Sequence, residues 1–206
     1  MRSGKKNLKM VGIDEVGRGP LAGPVTVCAV FASKDVLRRI KKVCFFTDSK
    51  KMTRKSREEI FEIVRKERVT GRVTYAISSV SSGVIDRVGI NKAISEAIGR
   101  SLKKLGVKEE ITILLDGGLK APFKFTRQKS IKNGDFAEDI IALASVLAKV
   151  HRDRKMIKYE RRFPEYGFAS NKGYGTKSHI EAIGKKGLCG IHRRSFVKNI
   201  IDIQLN

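Results

Sequence analysis

An α/β fold is predicted by three features of the sequence. Short apolar runs stop at charge or glycine, longer segments between them carry apolar residues at helical spacing, and acids stand at the ends of two short runs. The first run, Met10 to Asp14, is followed by a Gly and Pro cluster and then by VTVCAVF from Val25 to Phe31, which reads as two strands around a functional loop. Ser56 with Glu59 forms a capping box that opens a helix through Arg68, with Ile60 and Val64 on its buried face. Val73 to Val80 is the next strand. Ile90, Ile94, Ile98 and Leu102 recur at helical spacing and Gly106 follows, so these isoleucines belong to the core of an amphipathic helix with a glycine C-cap. Ile111 to Leu115 is a compact strand ending at Asp116. After Asp135, the run IIALASVLAKVHRDRKMIKY is helical until Pro164 forbids continuation. From Gly167 onward come a Gly and Lys-rich loop, a short helix from about Thr176 to Lys185, the basic turn HRRSF and a final amphipathic stretch. The expected division is a core over residues 1–165 and a helical, substrate-binding appendage over 166–206.

Forty-four Lys and Arg against 21 Asp and Glu leave a net charge of +23. Self-repulsion of that size is best tolerated beside a polyanion, so nucleic acid is the leading partner, although charge names no activity. Cys28, Cys44 and Cys189 are far apart and form no CxxC pair, which suggests neither a disulfide framework nor a zinc site and fits a reducing cytoplasm. The opening MRSGKKNLKM lacks the apolar core and cleavage site of a signal peptide. The longest apolar stretch, IIALASVLAKV, falls short of the roughly 20 residues that span a bilayer. A cytoplasmic monomer without a membrane partner is expected.

Phosphodiester cleavage requires an activated water and a stabilised leaving oxygen, which divalent metals held by a few carboxylates supply. The candidates are Asp14 and Glu15 at the end of the first strand, Asp116 at the end of another, and Asp135 at the start of the long helix. Neighbouring elements of one sheet can bring all four together. Mg2+ favours oxygen ligands and keeps several waters, so such a scattered acidic set suits it better than histidines would. Asp135 alone is equally well read as a helix-terminal acid. Successive strand residues face opposite ways, so Asp14 and Glu15 can share a metal only if the chain turns at Glu15, and GRGP makes that turn plausible.

Other chemistries fit less well. GRGPLAG matches neither GxGxxG nor GxxxxGK[ST], and HRD at His151–Asp153 lacks the partners of a kinase catalytic loop. His151, His179 and His192 lie at no ligand spacing and read as structural residues or phosphate contacts. A protein that only binds nucleic acid would gain from losing acids beside phosphates, yet Asp14 and Glu15 adjoin the candidate substrate loop.

The chain resembles bacterial ribonuclease HII, the type 2 ribonuclease H, along nearly its whole length. GIDEVGRGPLAGPV, TDSKKMT, LLDGG, NGD with ALASVLAKVHRDR, FPEYGFASNKGYGTKSH and HRRSF stand in that family's order. The resemblance implies a ribonuclease H-like mixed five-stranded sheet flanked by helices, with a C-terminal helical region. It implies metal binding and catalysis by Asp14, Glu15, Asp116 and Asp135, and substrate sensing by the backbone of Gly17, Arg18 and Gly19. It further implies that Tyr174 reads the junction, and places Ser49, Lys50, Arg193 and Arg194 near the substrate. The implied substrates are RNA/DNA hybrids and duplex DNA containing single ribonucleotides. Cutting is on the 5′ side of a ribonucleotide, leaving 3′-hydroxyl and 5′-phosphate ends, with Mg2+ or Mn2+ in a two-metal scheme.

Overall fold

The computed structural model describes residues 9–44, 49, 52–134 and 138–198. Lys50 and Asp135 lie outside the described residues. The chain begins with antiparallel strands β1 (Lys9–Val16) and β2 (Val25–Ser33), then helices α1 (Lys34–Val43) and α2 (Arg54–Val69) and strand β3 (Thr74–Val80). Helices α3 (Ser82–Val88) and α4 (Ile90–Leu105) lead to strands β4 (Thr112–Asp116) and β5 (Gln128–Ile131) and the long helix α5 (Asp139–Glu160). A 3-10 turn (Pro164–Tyr166), helices α6 (Phe168–Asn171) and α7 (Lys177–Lys186), and a helical segment over residues 194–198 follow.

The five strands form one sheet in the order β3-β2-β1-β4-β5, with β1 and β4 parallel and β2 antiparallel to both its neighbours. This is the mixed sheet expected from the resemblance. Its faces follow the pleat of β1: Met10 packs among residues of α1, α2 and α5, whereas Val11 and Ile13 pack among residues of α3 and α4. Every residue from Ile140 to Ala148 is buried, so α5 lies inside the protein rather than on its surface. A third cluster joins Leu21 and Ala22 to Met156, Tyr166, Phe168, Ile183 and Val197, seating the C-terminal helices on the loop after β1.

Two readings of the sequence need correction. The first concerns α2, which starts before Ser56: Thr53 is the cap, its Oγ1 accepting the Ser56 N–H at 3.1 Å. The second concerns β1, which does not turn at Glu15. It pairs with β2 through Val16↔Thr26, and the chain leaves the sheet only at Gly17, whose φ of +90° suits glycine. The expected C-cap at Gly106 is present in the left-handed conformation.

One close contact under the sheet is between backbones. A Cβ added at Gly12 would stand 2.5 Å from the Ile140 carbonyl oxygen, so β1 and the first turn of α5 meet only because residue 12 is glycine. Gly12→Ala is expected to cost about 1–3 kcal/mol of stability through overpacking. Urea denaturation would register this as a lower midpoint at unchanged m-value.

Candidate active site

The acids converge at the carboxyl ends of the parallel pair β1 and β4, where open α/β sheets ordinarily bind ligands. Pairing of Ile13 with Leu115 puts Asp14 and Asp116 one step beyond the last paired residues of these strands. Because β1 stays extended, Asp14 and Glu15 leave it on opposite faces. Asp14 is buried and hydrogen-bonds Ser145 of α5, whereas Glu15 lines an open groove against α4. That groove, of about 550 Å³, also receives Arg18, Asn91, Ile94, Asp116 and Lys120. Arg18 holds Glu15 through an Nε–Oε1 pair at 3.1 Å and donates to Asn91 Oδ1 at 2.9 Å. Asp116 is anchored from the other side, its Oδ1 accepting the Gly134 N–H at 2.7 Å.

Burial, with the Glu15 and Asp116 carboxylates beside it, pushes the Asp14 carboxyl well above the usual carboxylate range. A divalent cation among these oxygens would relieve the repulsion, and an all-carboxylate donor set fits Mg2+ or Mn2+. Among the described residues no three His, Cys, Asp or Glu side chains form a complete metal-holding group. The fourth expected acid, Asp135, follows Gly134 directly in the chain and lies outside the described residues.

The loop from Gly17 to Pro24 is shaped by two buried arginines. Arg193 donates to the carbonyls of Gly23 (3.0 Å), Arg18 (2.9 Å) and Gly17 (2.6 Å). Arg152 donates to those of Pro24 (2.9 Å) and Ala22 (3.2 Å) and to Lys172 (2.9 Å). Neither guanidinium is exposed, and burial followed by the charge of Arg152 pushes Arg193 down to about 9. Arg193, expected near the substrate, is buried with its donors facing the loop from behind. Arg152, in the HRD run that lacks the partners of a kinase catalytic loop, is the residue that sequence reasoning missed. Arg194 is exposed, and Asp86 of α3 caps its backbone N–H at 2.9 Å.

This clamp determines which side of the loop meets solvent. In a trans peptide the N–H points opposite to the C=O of the same unit, and no described peptide is cis. With the Gly17 and Arg18 carbonyls turned inward to Arg193, the N–H groups of Arg18 and Gly19 point away from it. A Cβ at Gly19 would have nothing within 4 Å, so this part of the loop is open to a ligand.

Tyr174 stands beside the same loop. The carbonyl of its neighbour Gly173 accepts from Leu21 N–H (2.8 Å) and Ala22 N–H (3.2 Å), and the Tyr174 side chain is 44% exposed within electrostatic range of Arg152 and Arg193. Behind it runs a polar chain with only one consistent set of protons for neutral rings. The Cys189 N–H donates to His192 Nδ1 (2.9 Å), His192 Nε2 donates to His179 Nε2 (3.1 Å), and His179 Nδ1 donates to the Tyr174 carbonyl (2.8 Å). Both histidines are buried against Tyr166 and Phe168. Their role is structural, which leaves His151 outside this network. Ser49, expected near substrate, is buried with its Oγ 2.8 Å from Ser145 Oγ, on the inner side of Asp14.

A ribonuclease HII family model matches residues 11–199 of the chain. The chain belongs to the ribonuclease HII family. A curated ribonuclease HII of Caldicellulosiruptor bescii is 43% identical over 93% of this chain and 88% of its own length. The crystal structure of ribonuclease H2 from Pyrococcus horikoshii superposes with a TM-score of 0.74 at 24% identity, covering 97% of this chain and 100% of that one. Bst-RNase HIII in complex with Mn2+ shares the fold at a TM-score of 0.69 and 16% identity, over 97% of this chain and 70% of its own. Membership makes the chain a metal-dependent ribonuclease H acting on RNA/DNA. No helix among the described residues is long and apolar enough to cross a membrane.

The histidine pair gives the site a measurable acid limit. Burial, and then the neighbouring His179, push His192 from 6.5 down to about 4, and burial lowers His179 as well. The unfolded chain thus binds protons that the folded rings refuse. Their contribution to stability is complete above about pH 6.5 and is lost as the pH falls toward 4, at up to about 1.4 kcal/mol per pH unit for each proton. Melting temperatures recorded across this interval should fall in the wild type and fall less steeply in His192→Asn. Parallel curves for the two proteins would remove His192 as the cause.

Proposed function

We propose that this ribonuclease H cuts the RNA strand of RNA/DNA hybrids and also cuts on the 5′ side of single ribonucleotides embedded in duplex DNA, leaving 3′-hydroxyl and 5′-phosphate ends. The observation that carries this reading is the juxtaposition of three carboxylates at the ends of β1 and β4 with a loop whose peptide N–H groups face outward beside Tyr174. A lone 2′-hydroxyl is the only mark on such a nucleotide's sugar, so it must be sensed by hydrogen bonds. In this reading the N–H groups of Arg18 and Gly19 and the phenol of Tyr174 supply those bonds. The Tyr174 ring packs on the adjacent deoxyribose, where no 2′-hydroxyl obstructs it. Lys50 and the exposed Arg194 contact phosphates, while Arg193 acts by shaping Gly17 to Gly19.

Asp14, Glu15, Asp116 and Asp135 are the proposed holders of two Mg2+ or Mn2+ ions. Bound there, the ions supply an activated water and charge stabilisation for the departing 3′-oxygen. The chain's own contribution is orientation. Arg18 fixes Glu15, Gly134 fixes Asp116, and the clamped loop holds the scissile phosphate beside them.

Asp14→Asn and Asp116→Asn should each reduce cleavage by several orders of magnitude while duplex binding survives, since ligands to the ions contribute chiefly in the transition state. The assay is a labelled DNA duplex carrying one ribonucleotide, with and without EDTA. Either variant retaining activity within about tenfold of wild type would refute the metal assignment.

Tyr174 separates recognition of a junction from general nuclease activity. Tyr174→Phe should lose activity moderately, and Tyr174→Ala should lose far more on the single-ribonucleotide substrate. Equal rates for wild type and Tyr174→Ala on that substrate would leave only the cleavage of hybrids.

A further inference from the structure

The pleat of β1 turns Asp14 away from the groove that Glu15 and Asp116 line, so its carboxylate must be steered by whatever donates to it. Asp14 Oδ1 accepts the Glu15 N–H at 2.7 Å, and the second donor within the protein is Ser145 of α5. Ser145 Oγ is in turn 2.8 Å from Ser49 Oγ, and all three side chains are buried. With a cation bound, Asp14 is ionised and has no proton to give, which fixes the direction of the chain in that state. The Ser145 hydroxyl donates to Asp14, and its lone pair accepts the Ser49 hydroxyl.

Ser49 is itself held in place. Its carbonyl accepts from Arg57 Nη1 at 2.7 Å, and the same nitrogen reaches the Met52 carbonyl at 2.5 Å. Arg57 Nη2 lies 3.9 Å from Asp153 Oδ2, and Lys149 pairs with Asp153 Oδ1 at 2.9 Å. A chain of fixed groups thus runs from α5 through α2 to Ser49 and back to α5. Burial alone does not force hydroxyls into pairs in this protein, because Ser78 and Ser101 are buried among the described residues with no hydrogen-bond partner.

We propose that Ser49 and Ser145 are positioning residues, a two-hydroxyl relay that orients the Asp14 carboxylate toward the cation. This rests on the reading of Asp14 as a ligand to that cation. It gives Ser49 a place behind the site instead of on the substrate, and it makes Ser49 act only through Ser145.

The test is a double-mutant cycle on the full chain, with Mn2+ alone titrated calorimetrically and single-turnover cleavage measured in parallel. Groups that orient metal ligands usually affect affinity or activity by about 10- to 100-fold. Ser145→Ala should weaken Mn2+ binding within that range and Ser49→Ala should weaken it less. The double variant should bind no more weakly than Ser145→Ala, because Ser49 has no second route to Asp14. Additive losses, or a folded Ser145→Ala with wild-type Mn2+ affinity, overturn the relay. Should Ser145→Ala fail to fold, the nearly isosteric Ser145→Cys, a weak donor, takes its place, and wild-type affinity in it is equally decisive. Asp14→Asn, titrated alongside, separates the two levels of the argument. Unchanged Mn2+ binding in it refutes Asp14 as a ligand, whereas its loss together with full affinity in the Ser145 variant refutes only the relay.

Discussion

The structure around the site depends on the burial of two guanidinium groups against backbone carbonyls. Arg152 and Arg193 together bond six carbonyl oxygens, five of them between Gly17 and Pro24. A buried cation without hydrogen bonds is strongly unfavourable, so these arginines and the loop stabilise one another or neither is stable. The arrangement turns a glycine-rich segment, flexible by composition, into a surface of defined polarity. It also ties the C-terminal region to the core: Arg193 belongs to the HRRSF turn, whose N–H and neighbouring Ile191 carbonyl bond Leu21 and Gly23. The loop proposed to read the substrate is therefore held by residues from α5 and from the chain's last described segment.

The acidic end of the site obeys a different constraint. Alternation along β1 sends Asp14 and Glu15 to opposite faces, and the sheet brings their functions together only at its rim, where the neighbouring parallel strand supplies Asp116. Each carboxylate is restrained by its own donor: Glu15 by Arg18, Asp116 by the Gly134 N–H, Asp14 by the Glu15 N–H and Ser145. Burial, and after it repulsion from Glu15 and Asp116, raise the Asp14 carboxyl, and a cation among these oxygens would relieve that repulsion.

Much of this was legible in the sequence because it rests on period and punctuation. β1, β2, β3 and β4, the core isoleucines of α4, the Gly106 cap and the buried α5 all follow from apolar spacing and from Gly and Pro. The short, polar QKSI of β5 carries no such signal, since a strand at the sheet edge is defined by its neighbour's backbone and not by its own side chains. Arg152 and Arg193 were illegible for a related reason. Among 44 Lys and Arg, a buried guanidinium looks like any other, and its partners are carbonyls that every residue possesses. The burial of Ser49 was not legible because its neighbours in DSK are charged, while its own hydroxyl is turned inward.

The parallel pairing of β1 with β4 has a consequence for how the protein comes into being. Met10 pairs with Thr112, so the strands bearing Asp14 and Asp116 meet only after β2, α1 to α4 and β3 have been synthesised. Closing so long a stretch of chain carries a loop-closure entropy cost that grows with the number of intervening residues. A chain that ends before β4 carries two of the four proposed acids and neither clamp arginine. The proposed site is thus complete only in the finished chain, because its acids and the arginines that shape its loop come from segments far apart in sequence.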